Sequence, residues 1–448
     1  MREKLNSQIS LFEFYGEHET GQQLKKISER LDSIPEILDI ASRALFHSET
    51  NHTRAGRKGL TVDSIVRAAL LKQMMGLSYN ELSFYLQDSL SYSSFARVDS
   101  STCCSSSGLQ SCISKIDASS WEAINHLLLN DAATKGIEKG RMVRIDSTVT
   151  ETHISSPSDS NLLWDCVRVM VRLLRKITSS LSVKEMKFCD RTRAAKRRMK
   201  AIAYSRGRNR VKLYKQLINN TKKTCDYLYS VLHSNHLADN FQLITLKEEA
   251  ENILELTDKV ISQTERRVFN GESVPHYEKV VSIFEPHTDI IVKGAREVQY
   301  GHKLNLTTGK SGLVLDVYIE DGNPADAARL SPMLERQKEI YGRAPRQAAA
   351  DGGYASQDNL AKAKEMGVKD IAFNKKRGLK IEYMVKSNWV YKKLYKFRAG
   401  VEGNISCLKR RFGLSRCHWK GLENFKAYVW ASSVAYNLLQ LARIETVN

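Results

Sequence analysis

Tyr395, Arg398, Glu402 and Lys409 lie at i, i+3, i+7 and i+14. At about 100° per residue they share a helix arc of roughly 60°. That face would carry one carboxylate, two permanent cations and an aromatic ring. A carboxylate offers hard oxygen ligands to Mg²⁺. Cations beside an aromatic suit a nucleic acid strand, holding phosphates and stacking on a base. The adjoining face is apolar, with Leu394, Val401, Ile405, Leu408 and Phe412. Such a helix packs on a core and presents its chemistry at the border.

Two further acids stand in informative places. RMVRIDSTVT (141–150) reads as a buried strand entered after Gly140, with Asp146 inside it. An acid there costs several kcal/mol unless it is paired or metal-bound. PRQAAADGGYAS (345–356) reads as a strand ending at Asp351, followed by Gly352 and Gly353. A polar residue at the C-terminal end of a parallel strand, next to glycines, is where α/β sites form.

These residues need elements to position them. The chain has 448 residues, 42% hydrophobic, enough for a large core and two or three domains. Residues 1–140 read as helical. Thr61 can cap a helix that Gly76 ends, and Ser78-x-x-Glu81 forms a capping box for the next, with Leu82, Tyr85 and Leu86 as its apolar face. That helix–turn–helix geometry allows DNA binding. A third helix is expected near Leu109–Ile116, and Ser119-x-x-Glu122 is expected to cap a fourth. Residues 158–279 read as a mostly polar helical insertion. Strands are expected at 280–292, 300–307 and 312–319, the last two joined as a hairpin by TTGKSG. Helices follow over Ala325–Tyr341 and 356–366, then a strand at 368–374, the Glu402 helix and an apolar helix over Phe425–Leu441.

The net charge is +19, which favours a polyanionic partner. It is concentrated: Lys184 to Lys223 hold fifteen Lys and Arg against two acids. With so few acids to pair with, Arg193, Lys196, Arg197 and Arg198 point to a phosphate backbone. The eight cysteines include no CxxC pair, and Cys417-His418 lacks partners at zinc spacing. They read as reduced thiols of a cytosolic protein. The N-terminal MREKLNSQISLFEF has no apolar h-region, and no 18-residue apolar run exists, so neither a signal peptide nor a membrane span is expected.

The Tyr-(2)-Arg-(3)-Glu-(6)-Lys spacing resembles the signature of bacterial insertion-sequence DDE transposases. Asp146 in IDST and Asp351 in DGGY resemble the family's other two acids, and 56–95 resembles its N-terminal helical domain. With the insertion removed, the order β-β-β-α-β-α-β-α resembles the ribonuclease H-like core. The implied fold class is α/β, a ribonuclease H-like core (141–157 and 280–448) with an N-terminal helical, DNA-binding domain (1–140) and a basic helical insertion after the first strand (158–279). The insertion differs from the β-rich one of the best-known members, so hairpin formation on DNA is not carried over.

The resemblance implies that Asp146, Asp351 and Glu402 are catalytic and bind two Mg²⁺ ions, with Mn²⁺ able to substitute. Asp146 would bridge both ions, with Asp351 on one and Glu402 on the other. Such a pair, about 4 Å apart, activates a water and stabilises the leaving oxygen in an in-line displacement. Without metal the three carboxylates repel, which predicts weakly ordered geometry. Arg398 and Lys409 would hold phosphates of an element end, and Tyr395 would touch a phosphate or stack on an unpaired base. Arg410, Arg411, Arg416 and Lys420 extend the cationic surface, with Trp419 a stacking candidate. Gly400 and Gly403 flank Glu402, either because DNA approaches the backbone there or because the helix begins only after Gly400. His153 and His302 read as isolated structural residues. The implied partners are the element ends and target DNA, with a homo-oligomer assembled on them and no membrane; the location would be the cytoplasm, at the nucleoid. A catalytically idle repressor and a metal-dependent nuclease of the same fold are the alternatives.

Overall fold

The computed structural model describes residue 4 and residues 14–46, 59–99, 104–181, 188–233, 241–293 and 297–447. Most of the N-terminal MREKLNSQISLFEF, Cys103, and parts of the 56–95 and 184–223 segments lie outside the described residues. The chain divides into two compact units, one of residues 1–153 and 301–448, the other of 154–300.

The first unit opens with seven helices: α1 (Glu19–Asp32), α2 (Glu36–Phe46), α3 (Val62–Met75), α4 (Tyr79–Asp88), α5 (Leu90–Ala96), α6 (Ser106–Ile113) and α7 (Ala118–Thr134). The capping signals act as expected for α3 and α4. Thr61 accepts from the Ser64 N–H, Gly76 closes α3 in the left-handed region, and Ser78 and Glu81 form a reciprocal capping box. Leu82 and Leu86 are buried, but Tyr85 is exposed, contrary to its expected place on the apolar face. Asp117, not Ser119, caps α7, because its carboxylate reaches the Ser120 N–H at 2.8 Å.

The strand β1 (Met142–Thr152) follows. The second unit then holds α8 (Asp159–Leu181), α9 (Thr192–Tyr204), α10 (Gly207–Leu232) and α11 (Phe241–Val268), whose leucines, isoleucines and valines form a core of their own. A short strand, β2 (Asp289–Lys293), ends this part. The strand expected over 280–292 thus shrinks to its last residues. Pro286 lacks the N–H a ladder needs, and the Ser282 hydroxyl accepts from the Phe284 and Glu285 N–H groups to make a turn.

From Gly301 the first unit resumes with β3 (Glu297–Gly309), β4 (Val314–Ile319), α12 (Leu330–Tyr341), β5 (Gln347–Ala350), α13 (Gln357–Glu365), β6 (Asp370–Phe373), α14 (Ile381–Met384), α15 (Asn388–Arg411), β7 (Arg416–Cys417) and α16 (Leu422–Val447). The helix expected from Ala325 begins as a 3-10 turn over Asp326–Arg329. In the sheet β1 is central. It pairs antiparallel with β3, parallel with β5, and parallel with β7 at its far end; β6 continues beyond β5 and β4 beyond β3.

Helices cover both faces of this sheet. Leu304, Leu306 and Val317 join α16 and the N-terminal helices in one apolar cluster. Val143, Ile145, Leu315 and Ala348 join α12, α13 and α15 in another. The helices of residues 1–140 and the sheet therefore share a core within one unit. Asn437 explains how β4 tolerates a buried edge: it accepts from the Val314 N–H at 2.8 Å and donates to the Val314 carbonyl at 2.7 Å. No helix among the described residues is long and apolar enough to cross a membrane.

Candidate active site

Strand register brings the first two acids together. Ile145 pairs with Ala350 in the parallel β1–β5 ladder. One residue further along each strand come Asp146 and Asp351, so both carboxylates leave the sheet at the same level. The Ser147 N–H donates to Asp146 at 2.8 Å. Asn374, just past β6, donates to Asp351 at 3.3 Å. Gly352 is required by close packing, since a Cβ there would lie 2.7 Å from the Lys375 Cβ.

The third acid comes from α15. This helix is continuous from Asn388, capped by Ser387, so Gly400 and Gly403 lie within it and the reading that it begins after Gly400 fails. Tyr395, Arg398, Glu402 and Lys409 all belong to this one helix. Tyr395 is exposed and Lys409 half-buried.

Arg398 ties the acids together. Its Nη2 lies 3.2 Å from Asp146 and 3.2 Å from Asp351, and its Nη1 3.2 Å from Glu402. The guanidinium is mostly buried while the Glu402 side chain is 66% exposed. Repulsion among the carboxylates is thus offset from within the chain by the Arg398 guanidinium. Arg398, expected on DNA phosphates, here engages all three acids. For Asp351, burial pushes the carboxyl pKa up. Hydrogen bonds from the Gly352 N–H and Asn374, with the Arg398 charge, outweigh this, and the net shift is downward.

Arg144 carries α15, and sequence reasoning missed it. It precedes Asp146 by two residues, which places both on the same face of β1. Its guanidinium donates to Thr308 at 2.9 Å, to the Phe397 carbonyl at 3.0 Å and to Asn404 at 2.5 Å. Asn404 in turn donates to the Gly312 carbonyl at 2.8 Å. A Cβ at Gly400 would lie 2.0 Å from Arg144 Nη1. The glycine at 400 makes room for this strand–helix contact. A Cβ at Gly403 would meet nothing within 4 Å. The available signal was a charge in a buried strand, two residues before the acid.

Below the loop after β5, the buried Tyr354 hydroxyl donates to Asn305 at 2.8 Å, and Asn305 donates to Glu320 at 2.5 Å. Burial holds the Tyr354 pKa well above its ordinary value, so it stays a donor.

Among the described residues no three His, Cys, Asp or Glu side chains converge as metal ligands do; the carboxylates converge on a guanidinium instead. A cation held by three carboxylates marks a place that takes positive charge, and hard oxygen donors suit Mg²⁺ or Mn²⁺. By donor chemistry the residues fit a divalent ion.

The expected basic residues lie on α9 in the second unit. Arg193, Lys196 and Arg197 are exposed, and none of these or Arg198 forms an ion pair among the described residues. Lys196 lies over the Trp164 ring, and Arg198 donates to Gln216 at 3.2 Å. His302 is buried against Phe425, whereas His153 is not isolated: its ring lies 4.7 Å from that of His418.

Residues 286–438 match the family model described as the Transposase DDE domain. The match covers about a third of the chain and supports a DDE transposase and DNA recombination. It contains Asp351 and Glu402 but stops short of Asp146. Among curated proteins and solved structures, nothing matches.

Proposed function

We propose that this chain is a metal-dependent DNA transposase of the insertion-sequence type, built on a ribonuclease H-like core, that cuts element ends and joins them to target DNA. The observation that carries this reading is the convergence of Asp146, Asp351 and Glu402, from two adjacent parallel strands and one helix, on a single guanidinium.

Asp146, Asp351 and Glu402 would hold two Mg²⁺ or Mn²⁺ ions. When bound, these would supply an activated water and stabilise the leaving oxygen. The chain's own residues set the stage. Arg144 fixes α15 against β1, so Glu402 is presented beside the strand acids. Arg398 keeps the carboxylates gathered and, once their charge is compensated otherwise, becomes available to a DNA phosphate. Lys409 and Tyr395, on the same helix, contact the element end. A freed 3′-hydroxyl then attacks a phosphate of the second DNA, forming a new P–O bond as the target's P–O3′ bond breaks and its 3′-oxygen leaves as a hydroxyl, so no covalent protein–DNA intermediate is required. Arg193, Lys196, Arg197 and Arg198 add affinity that is independent of sequence. The protein works as a homo-oligomer on DNA at the nucleoid.

The test is a strand-transfer assay with the DNA that flanks the gene. Joined products that depend on Mg²⁺ or Mn²⁺ and on the terminal sequences are expected. Sequence-independent nicking without joining would point to a nuclease, and specific binding without cleavage to a repressor.

A further inference from the structure

The turn between α3 and α4 and the segment after α15 enclose a cleft of about 780 Å³ within the first unit, apart from the three acids. Its volume suits a nucleotide-sized ligand. Lys72 lines it and is only 7% exposed. The other buried cations among the described residues have acceptors: Arg30, Arg67, Arg97 and Lys303 meet carboxylates, and Arg144 meets a hydroxyl, a carbonyl and an amide. Lys72 has neither an ion pair nor a side-chain hydrogen bond among the described residues. Its ammonium rests 4.8 Å from the Tyr79 ring centroid and 5.9 Å from that of Trp419.

Two more donors of this lining are unsatisfied. Gln73 Nε2, on a side chain 3% exposed, and Trp419 Nε1 are buried with no acceptor. A buried donor left without a partner is destabilising. Arg416 is paired with Glu151 at 2.5 Å, while Lys420 adds exposed positive charge to the lining. Its one acid, Glu81, is exposed and occupied with the Ser78 N–H at 2.7 Å. Burial lowers the His418 pKa, and the charges of His153, Lys72 and Arg416 lower it further. Burial also brings the Lys72 ammonium down to about 8, against a smaller upward pull from Cys417 and Glu81. Unused donors, a buried ammonium without a carboxylate partner and aromatic rings together describe a receptor for an anion that carries a flat ring.

We infer that this cleft is a second DNA site, taking one nucleotide of a strand with its phosphate on Lys72, Gln73 and Trp419 Nε1 and its base against the Tyr79 and Trp419 rings. The choice of DNA rests on the transposase reading above.

Photocrosslinking tests this on the full chain. An oligonucleotide carrying 5-iododeoxyuridine is irradiated with the protein, and crosslinked peptides are mapped by mass spectrometry. Affinity is measured in parallel for Lys72→Met, Lys420→Ala and the double variant, with thermal melts as a folding control. Lys420 is exposed, so its variant reports even if Lys72→Met folds poorly. Crosslinks at Tyr79 or Trp419, with affinity reduced roughly tenfold or more in the double variant, are expected. Crosslinks confined to other segments, with unchanged affinity, would overturn the inference. Displacement by inorganic phosphate without any crosslink in the cleft would overturn it in favour of a free-anion site. Mg²⁺-dependent cleavage by the wild type is recorded alongside. Cleavage without a crosslink here defeats this inference alone. A crosslink here without cleavage supports it and defeats the catalytic reading.

Discussion

Arg398 has two roles to reconcile, because the residue suited to a DNA phosphate is the one that holds the acids together. Each charge-assisted contact is worth about 1.5–3 kcal/mol, or roughly 10- to 150-fold in rate if expressed in the transition state. Arg398→Ala should therefore depress nonspecific nicking as well as strand transfer, since the carboxylates lose their partner. Lys409→Ala should depress strand transfer more than nicking. Running both assays on both variants checks this, and equal losses for Lys409→Ala would argue against its contact with an element end. Asp351 supplies a pH test. Its folded pKa is lowered, so the ionised form adds stability above the ordinary carboxylate range, and that contribution fades as pH falls through the lowered value. Asp351→Asn should lower the urea midpoint at pH 7, with the gap starting to narrow only below about pH 4 and closing as pH falls through the lowered folded value. A gap that persists undiminished at pH 3 would contradict the assigned charge.

At the scale of elements, α15 carries both the legible and the hidden part of the site. Its apolar residues and its chemistry-bearing face show in the spacing, because both follow the 3.6-residue period. Its true start did not show, because glycines at 400 and 403 suit a helix boundary as well as a helix interior. What settles the matter is Arg144, more than 250 residues away in sequence, and no local pattern reports a contact of that range. Asn374 and Asn404 escaped for the same reason, as did the meeting of Lys72 with Trp419. Strand ends were legible where a charge or glycine marks them, as at Asp351, and misjudged where a turn inside an apolar run decides, as at Ser282–Glu285. Gly400→Ala tests the strand–helix contact. The added methyl must displace Arg144, which should cost about 1–3 kcal/mol and shift Glu402 away from the strand acids. Gly403→Ala meets open space and should leave stability nearly unchanged. Thermal melts and cleavage rates of the pair decide it; equal behaviour would show that Gly400 has no such function.

At the scale of the whole molecule, charge and chemistry are carried by different parts of the chain. The acids belong to the unit of residues 1–153 and 301–448, and the densest run of cations to that of 154–300. Neutralising Arg193, Lys196, Arg197 and Arg198 together should weaken binding to every DNA sequence and reduce the salt slope by up to about 3–4 units. An unchanged slope would make α9 an ordinary solvated surface. The central claim is that three acids from two strands and a helix act as one metal-dependent set. The direct measurement is Mg²⁺-dependent cleavage of an element-end substrate by Asp146→Asn, Asp351→Asn and Glu402→Gln, each beside its own DNA-binding isotherm. Cleavage should vanish in all three while end binding stays close to wild type. Full cleavage by any one of them would contradict the account.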